Sequence, residues 1–378
     1  MDPWSVTMKS LNFPYNPQID QLRWLAATLV FAFHFQLESA NLGGITLTSA
    51  WWGLVTQGHT GVGLFFTLSG FLFMQIAFRN QGIAFTRFIR NRFLRIFPLF
   101  FTVFMVATSI GRDKFVPTDI FYLLSSNLGL APTSYTVITG AAWCVSLEFL
   151  FYALFPFLSR FAIAEGPMYL IRLIALLVFF KLAAFSVNDK SDLMYFSTFV
   201  GRFDQFLIGM LAAFVFRAYE ATLKKYAVQL LVLAFAIVVC NSAMQAAFAP
   251  FTGTGKSHFW IFWSLLESGG WAIFIVVWLA NQNLLPARVA QWLCDGGKIS
   301  FSFYLLHMGV IHLWAIGVGM ITPTGSTLIN TCVTAALVYA ATWAISSMSY
   351  HTIELPFLRM RSSYGTQGSE TRSASGNL

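Results

Sequence analysis

Apolar runs of bilayer length recur along this chain, with only short polar joints between them. A helix needs about 20 consecutive apolar residues to cross the hydrocarbon core. By that ruler ten spans are predicted, over residues 20–38, 58–78, 94–111, 141–160, 168–187, 200–217, 226–247, 258–280, 299–320 and 326–348. Segment 119–130 is too short and polar to add another, and is expected as an interfacial or re-entrant piece. Charged residues make up 10% of the 378 residues, against about 25% in a soluble domain. The regular alternation of a transmembrane β-barrel is missing, and helices are the other way to satisfy backbone groups in lipid. The fold class that follows is all-α, a polytopic integral membrane protein of about ten transmembrane helices.

Residues 1–18 lack the basic start and apolar centre of a cleaved leader, so the first apolar segment is expected to remain as a helix. Three segments are expected: an N-terminal cytoplasmic piece (1–18), one integrated transmembrane domain (19–358) and a disordered cytoplasmic tail (359–378). With ten spans both termini share a side. Placing them in the cytoplasm puts 17 Lys and Arg inside and 5 outside, with Lys181 within a span. That asymmetry is the positive-inside pattern, so the net charge of +8 reports topology and gives no reason to expect nucleic acid. Cys144, Cys240, Cys294 and Cys332 are scattered and make no CxxC pair, so no metal site is expected.

Several ionisable residues interrupt the apolar runs. The first span reads "IDQLRWLAATLVFAFHF". Arg23 and His34 are eleven residues apart, which leaves them on one helical face roughly 16 Å apart along the axis. Intramembrane ionisable residues face the bundle interior and mark functional paths; the alternative for His34 is a neutral ring bonded to a neighbouring helix. In "RFIRNRFLRIFP" four arginines precede Pro98, and Arg92 and Arg95 share a helical face. A stop signal or lipid headgroups would account for them, as would a phosphorylated ligand gripped by guanidinium forks. Glu148, in "WCVSLEFLFYALFP", must be protonated, paired or hydrated at that depth. Ser69 lies in the second span and His307 in the ninth, with the other histidines placed near interfaces. Arg202 and Asp204 are expected to pair near the outer surface.

Together these segments resemble the acyltransferase 3 family, integral membrane enzymes that acylate bacterial surface glycans and lipids. The resemblance runs from Ile19 to about Leu358: Asp20, Arg23 and His34; "FFTLSGFL" from Phe65; Arg92, Arg95, Ile96 and Pro98; Trp143, Glu148, Phe151 and Tyr152; Ser302, Tyr304 and His307; and Glu354 with Pro356. It departs at "WCVSLE", where the Trp-to-Glu spacing is nevertheless kept. The soluble hydrolase-like domain that some members carry is not recognised, so transfer would be completed alone or with a partner.

The resemblance implies transfer of an acyl group, acetyl first, from acyl-CoA as co-substrate to a sugar hydroxyl. The acceptor would be a glycan or lipid-linked glycan, as in the xanthan-type exopolysaccharide pathways, with other polysaccharide-assembly proteins as partners. It also implies a bacterial inner membrane, and lipids as surroundings. A sugar hydroxyl needs a general base, a role given to His34, as base or transient acyl carrier, with Glu148 orienting it or an arginine. Arg23, Arg92 and Arg95 would hold the CoA phosphates, and Asp20, Ser69, Trp143, Tyr152 and His307 would line the substrate pocket. The competing reading is a transporter or flippase of lipid-linked glycans, against which stands the lack of a clear inverted repeat.

Overall fold

The computed structural model of the protein describes residues 15–111, 143–187, 195–248, 257–281 and 285–364. Among them are ten long helices: α1 (Pro17–Asn41), α2 (Thr60–Asn80), α3 (Phe85–Ile110), α4 (Trp143–Glu165), α5 (Pro167–Val187), α6 (Phe199–Lys225), α7 (Ala227–Phe248), α8 (Phe259–Ala280), α9 (Ala287–Gly317) and α10 (Thr327–Ser349). The last continues through a π turn, Tyr350–Glu354, into Leu355–Leu358. Nine of the ten are long and apolar enough to cross a membrane. The exception, α1, has the length but carries Asp20, Arg23 and Glu38. The chain is an all-α, multi-pass membrane protein. The interfacial piece expected at 119–130 lies outside the described residues.

Burial sorts the helices into a centre and a rim. The most apolar stretch of α2 is 72% buried, and those of α8 and α6 are 67% and 61%. The corresponding stretch of α5 is only 17% buried, and it turns Phe179 and Phe180 outward. Lipid is the solvent such a rim requires. Two glycine contacts fix the centre. A Cβ on Gly70 would lie 2.0 Å from the Phe206 carbonyl, and one on Gly209 would lie 2.0 Å from that of Thr67, so the backbones of α2 and α6 touch. On the other side, a Cβ on Gly297 would fall 2.1 Å from the Asp20 carbonyl. That close approach of α9 to the first turns of α1 sets the position of Arg23.

Successive helices run in opposite directions, so the start of α1 lies beside the end of α8, where the Gln18 side-chain amide donates to the Trp278 carbonyl at 2.6 Å. The end of the bundle holding the start of α1 is called here the near end. Toward the far end, two buried ion pairs bind the central helices. Lys181 Nζ lies 2.7 Å from Asp204 Oδ2 and 2.5 Å from Ser264 Oγ. Arg202 Nη1 lies 3.3 Å from Glu267 Oε2, with its guanidinium 4.3 Å from the Trp263 ring centroid. The expected Arg202–Asp204 pair is therefore replaced by two crossed pairs. Residues two apart on a helix point about 200° apart, so each finds its partner on a different neighbour.

Candidate active site

A cavity opens between α1, α2, α3, α4 and α9, enclosing about 730 Å³ of space with its mouth included. Arg23 comes from α1, Ser69 from α2, Arg92 and Arg95 from α3, Glu148 and Tyr152 from α4, and Ser300 and Tyr304 from α9. Pro98 does not end α3, which runs unbroken from Phe85. Arg92 and Arg95 are thus presented three residues apart on one continuous face.

Each arginine is held by a specific partner. Arg23 Nη1 donates to Asp20 Oδ1 at 3.1 Å. Arg95 lies 3.7 Å from Glu354 in the π turn, and Glu354 also accepts a hydrogen bond from Ser302. Such turns often mark functional positions. Arg92 Nη2 donates to the Tyr364 hydroxyl at 2.6 Å, and its guanidinium sits 4.9 Å from the Phe73 ring centroid. Arg92 Nε is buried without a hydrogen-bond partner among the described residues. Glu148 shares the lining with these three arginines but forms no ion pair within 4 Å among the described residues. Three guanidinium groups with donors to spare suit an oxygen-rich anion.

A second constellation lies farther along α1. His34 Nδ1 is 2.9 Å from His307 Nε2 on α9 and 3.1 Å from the Val30 carbonyl. His307 Nδ1 is 2.5 Å from the Tyr304 carbonyl. A carbonyl only accepts, so His307 Nδ1 carries its proton and neutral His307 Nε2 is an acceptor. His34 Nδ1–H then donates toward both Val30 and His307, which leaves the lone pair on His34 Nε2. That nitrogen has no hydrogen-bond partner among the described residues, and the ring is only partly buried. The arrangement fixes the tautomer and orientation of the His34 ring and leaves Nε2 able to accept a proton.

The predicted residues therefore separate into two groups. Arg23, Arg92, Arg95, Ser69, Glu148 and Tyr152 meet in the cavity. His34, Asp20, Trp143 and His307 are not in its lining. Asp20 stands behind Arg23, and His307 touches His34 instead of lining the pocket. Trp143 lies 5.5 Å from the Arg202 guanidinium. Glu148 faces the arginines and makes no bond to His34. His59, expected at the outer mouth, is 2% exposed and bonds Gln57 and Gln245 at 3.1 Å each. Sequence reasoning passed over Glu267, although a lone carboxylate in the run "FWSLLESGGW" carries the same signal as Glu148. It also gave no part to Tyr364, whose polar surroundings conceal its burial. Among the described residues no group of three His, Cys, Asp or Glu could hold a metal ion.

An acyltransferase domain model, that of the acyltransferase 3 family, matches residues 16–347. The chain belongs to that family. It is 32% identical over 154 residues to the acyltransferase MdmB of Streptomyces mycarofaciens, covering 38% of this chain and 39% of that protein. It is 25% identical over 331 residues to the O-acetyltransferase OatA of Staphylococcus aureus, covering 79% of this chain and 51% of that protein. The chain thus spans about half or less of the curated relatives it matches. No solved structure matches it.

Proposed function

We propose that this protein is an O-acyltransferase that moves an acetyl group from acetyl-CoA to a hydroxyl of a cell-surface glycan or its lipid-linked precursor. The observation that carries the reading is the convergence of Arg23, Arg92 and Arg95 on one cavity at the near end of the bundle. Guanidinium forks match phosphate oxygens, and CoA carries a diphosphate and a separate phosphate. In the orientation favoured by the distribution of Lys and Arg, that end faces the cytoplasm of a bacterial inner membrane, where acyl-CoA is found.

The chemistry needs a base at the other end of the donor. His34 lies roughly 16 Å along α1 from Arg23, a separation that the flexible pantetheine arm of CoA bridges. His34 Nε2 accepts the proton of the acceptor hydroxyl as its oxygen attacks the thioester carbonyl. The C–O bond forms, the C–S bond breaks, and the thiolate leaves to take up a proton. His307 holds His34 in the required tautomer and shares the positive charge that develops on it. Glu148 and Tyr152 position the arginines and the donor, and Ser69 lines its path. Family membership favours transfer over the transporter alternative, and the O-acetyl transfer in the name of OatA favours acetyl and a hydroxyl acceptor.

The test is ester-linked acetyl on the host's surface polysaccharide, measured by proton NMR in a gene-deleted strain. Wild type is expected to restore the signal, and His34→Ala at equal membrane level to leave it absent. Full restoration by His34→Ala would remove His34 from the chemistry. No change with either protein would refute the glycan acceptor or the acetyl donor.

A further inference from the structure

After Leu358 the chain does not leave the bundle. Residues 359–364, beyond the stretch matched by the family model, fold back across the start of α3. Asn91, fully buried, grips them with both ends of its amide: Nδ2 donates to the Ser362 carbonyl at 2.6 Å, and Oδ1 accepts from the Ser362 N–H at 3.0 Å. Arg361 Nε donates to the Leu358 carbonyl at 3.0 Å. Tyr364 is 1% exposed, its ring 5.4 Å from that of Phe88 between centroids, and its hydroxyl accepts from cavity residue Arg92. Docking a polar segment costs backbone entropy at each ordered residue, and here the docked hydroxyl goes to one of the cavity's three arginines.

The same fold-back brings in a fourth guanidinium. Arg361 is half-buried within electrostatic reach of Arg23, Arg92 and Arg95. Burial first, then Arg95 and Arg92, push its pKa down to about 10. Arg361 thus adds its charge beside the three arginines of the cavity, where Asp20 and Glu354 are paired with Arg23 and Arg95 and Glu148 shares the lining. Cations gathered this closely repel, and an anionic ligand among them relieves that repulsion.

We propose that segment 361–364 is part of the donor site, with Tyr364 a positioning residue that orients Arg92 and Arg361 a further contact for the phosphates of CoA. The inference rests on the acyl-CoA reading above. Tyr364 takes up one donor of Arg92 and holds the guanidinium plane, leaving the unpartnered Nε edge for a ligand. Arg361 supplies the additional fork that a ligand with a diphosphate and a monophosphate calls for.

The experiment is calorimetric titration of CoA into the purified full-length chain in detergent, with Tyr364→Phe, Arg361→Gln and Arg359→Gln as variants. Arg359 is exposed and carries the same charge change as Arg361. Loss of one hydrogen bond to a charged group is expected to weaken CoA binding about tenfold for Tyr364→Phe and for Arg361→Gln. Arg359→Gln stays within about twofold, since an exposed charge is largely screened. Binding of acetyl-pantetheine, which lacks the phosphates, is expected to be the same in all four proteins. If Tyr364→Phe loses its cooperative thermal transition, Arg361→Gln carries the test. CoA binding that is equal in wild type, Tyr364→Phe and Arg361→Gln overturns the role of the tail and leaves the acyl-CoA reading standing. An equal loss in Arg359→Gln and Arg361→Gln reduces the effect to bulk charge and also overturns it. Failure of wild type to bind CoA overturns the underlying reading and the inference together.

Discussion

Replacing His307 by Phe removes the acceptor that faces His34 while keeping a flat ring on α9. In the wild type, His34 Nδ1–H has two acceptors, the Val30 carbonyl at 3.1 Å and His307 Nε2 at 2.9 Å. Only the first survives in the variant. When His34 takes a proton from the acceptor, its Nδ1–H becomes a charged donor, and hydrogen bonds to charged groups contribute about 1.5–3 kcal/mol. Losing that stabilisation in the transition state corresponds to a fall in kcat of roughly 10- to 150-fold. In the proposed reading the CoA phosphates bind at the other end of the site, so the KM for acyl-CoA is expected to stay within about twofold, because the lost interaction strengthens only as His34 becomes charged in the transition state. His307→Gln, whose carboxamide oxygen can accept the same bond, is expected to recover much of the rate. The assay is steady-state release of CoA thiol by the purified protein supplied with membranes of the deletion strain as acceptor. A His307→Phe enzyme with wild-type kcat would refute the orienting role, as would equal losses in the Phe and Gln variants.

Other expectations concern the cavity and the scaffold around it. Arg95→Lys keeps the charge but loses the planar fork beside Glu354; the KM for acyl-CoA should rise about tenfold, and an unchanged KM would count against a phosphate role. Gly297→Ala drives a methyl to 2.1 Å from the Asp20 carbonyl and must part α1 from α9. Activity should fall together with thermal stability, and a stable, active variant would show that the contact is soft. Lys181→Met leaves Asp204 buried beside Ser264 without its cation. Breaking a buried pair costs about 3–5 kcal/mol, so a clear drop in the unfolding midpoint in detergent is expected, part of it recovered by adding Asp204→Leu.

Span positions were legible because the physical requirement is simple: apolar length. All ten predicted spans overlap a long helix. The errors lie at the polar ends. The third helix starts at Phe85 rather than residue 94, since the arginine-rich turns that form its first third are helical but not apolar. The ninth starts at Ala287 rather than residue 299, where Asp295 bonds both Gln291 and Lys298 along the helix surface and hides the helix from a hydropathy ruler. Side-chain chemistry was legible one residue at a time. Arg92, Arg95 and Glu148 could be singled out because each is costly in an apolar setting, and the cavity brings them together.

Pairings were not legible. His34 meets a residue 273 positions away, and Arg202 meets Glu267 across 65. Hydropathy carries no information about which helices adjoin, so the nearby Asp204 looked like the natural partner of Arg202. The docked tail was hidden for a related reason. Serines and arginines around Tyr364 read as solvated, whereas one buried asparagine on another helix is enough to fix their course.

The central claim is transfer from a thioester bound by the arginines to a hydroxyl activated by His34. Its most direct test uses proteoliposomes of the purified protein, acetyl-CoA labelled in the acetyl group, and lipid-linked glycan extracted from the deletion strain. Label is expected in the glycan with wild type. Arg92→Ala should require a much higher donor concentration for the same rate, and His34→Ala should transfer none at any concentration. Transfer by His34→Ala at the wild-type rate, or by Arg92→Ala with an unchanged donor dependence, would contradict the account.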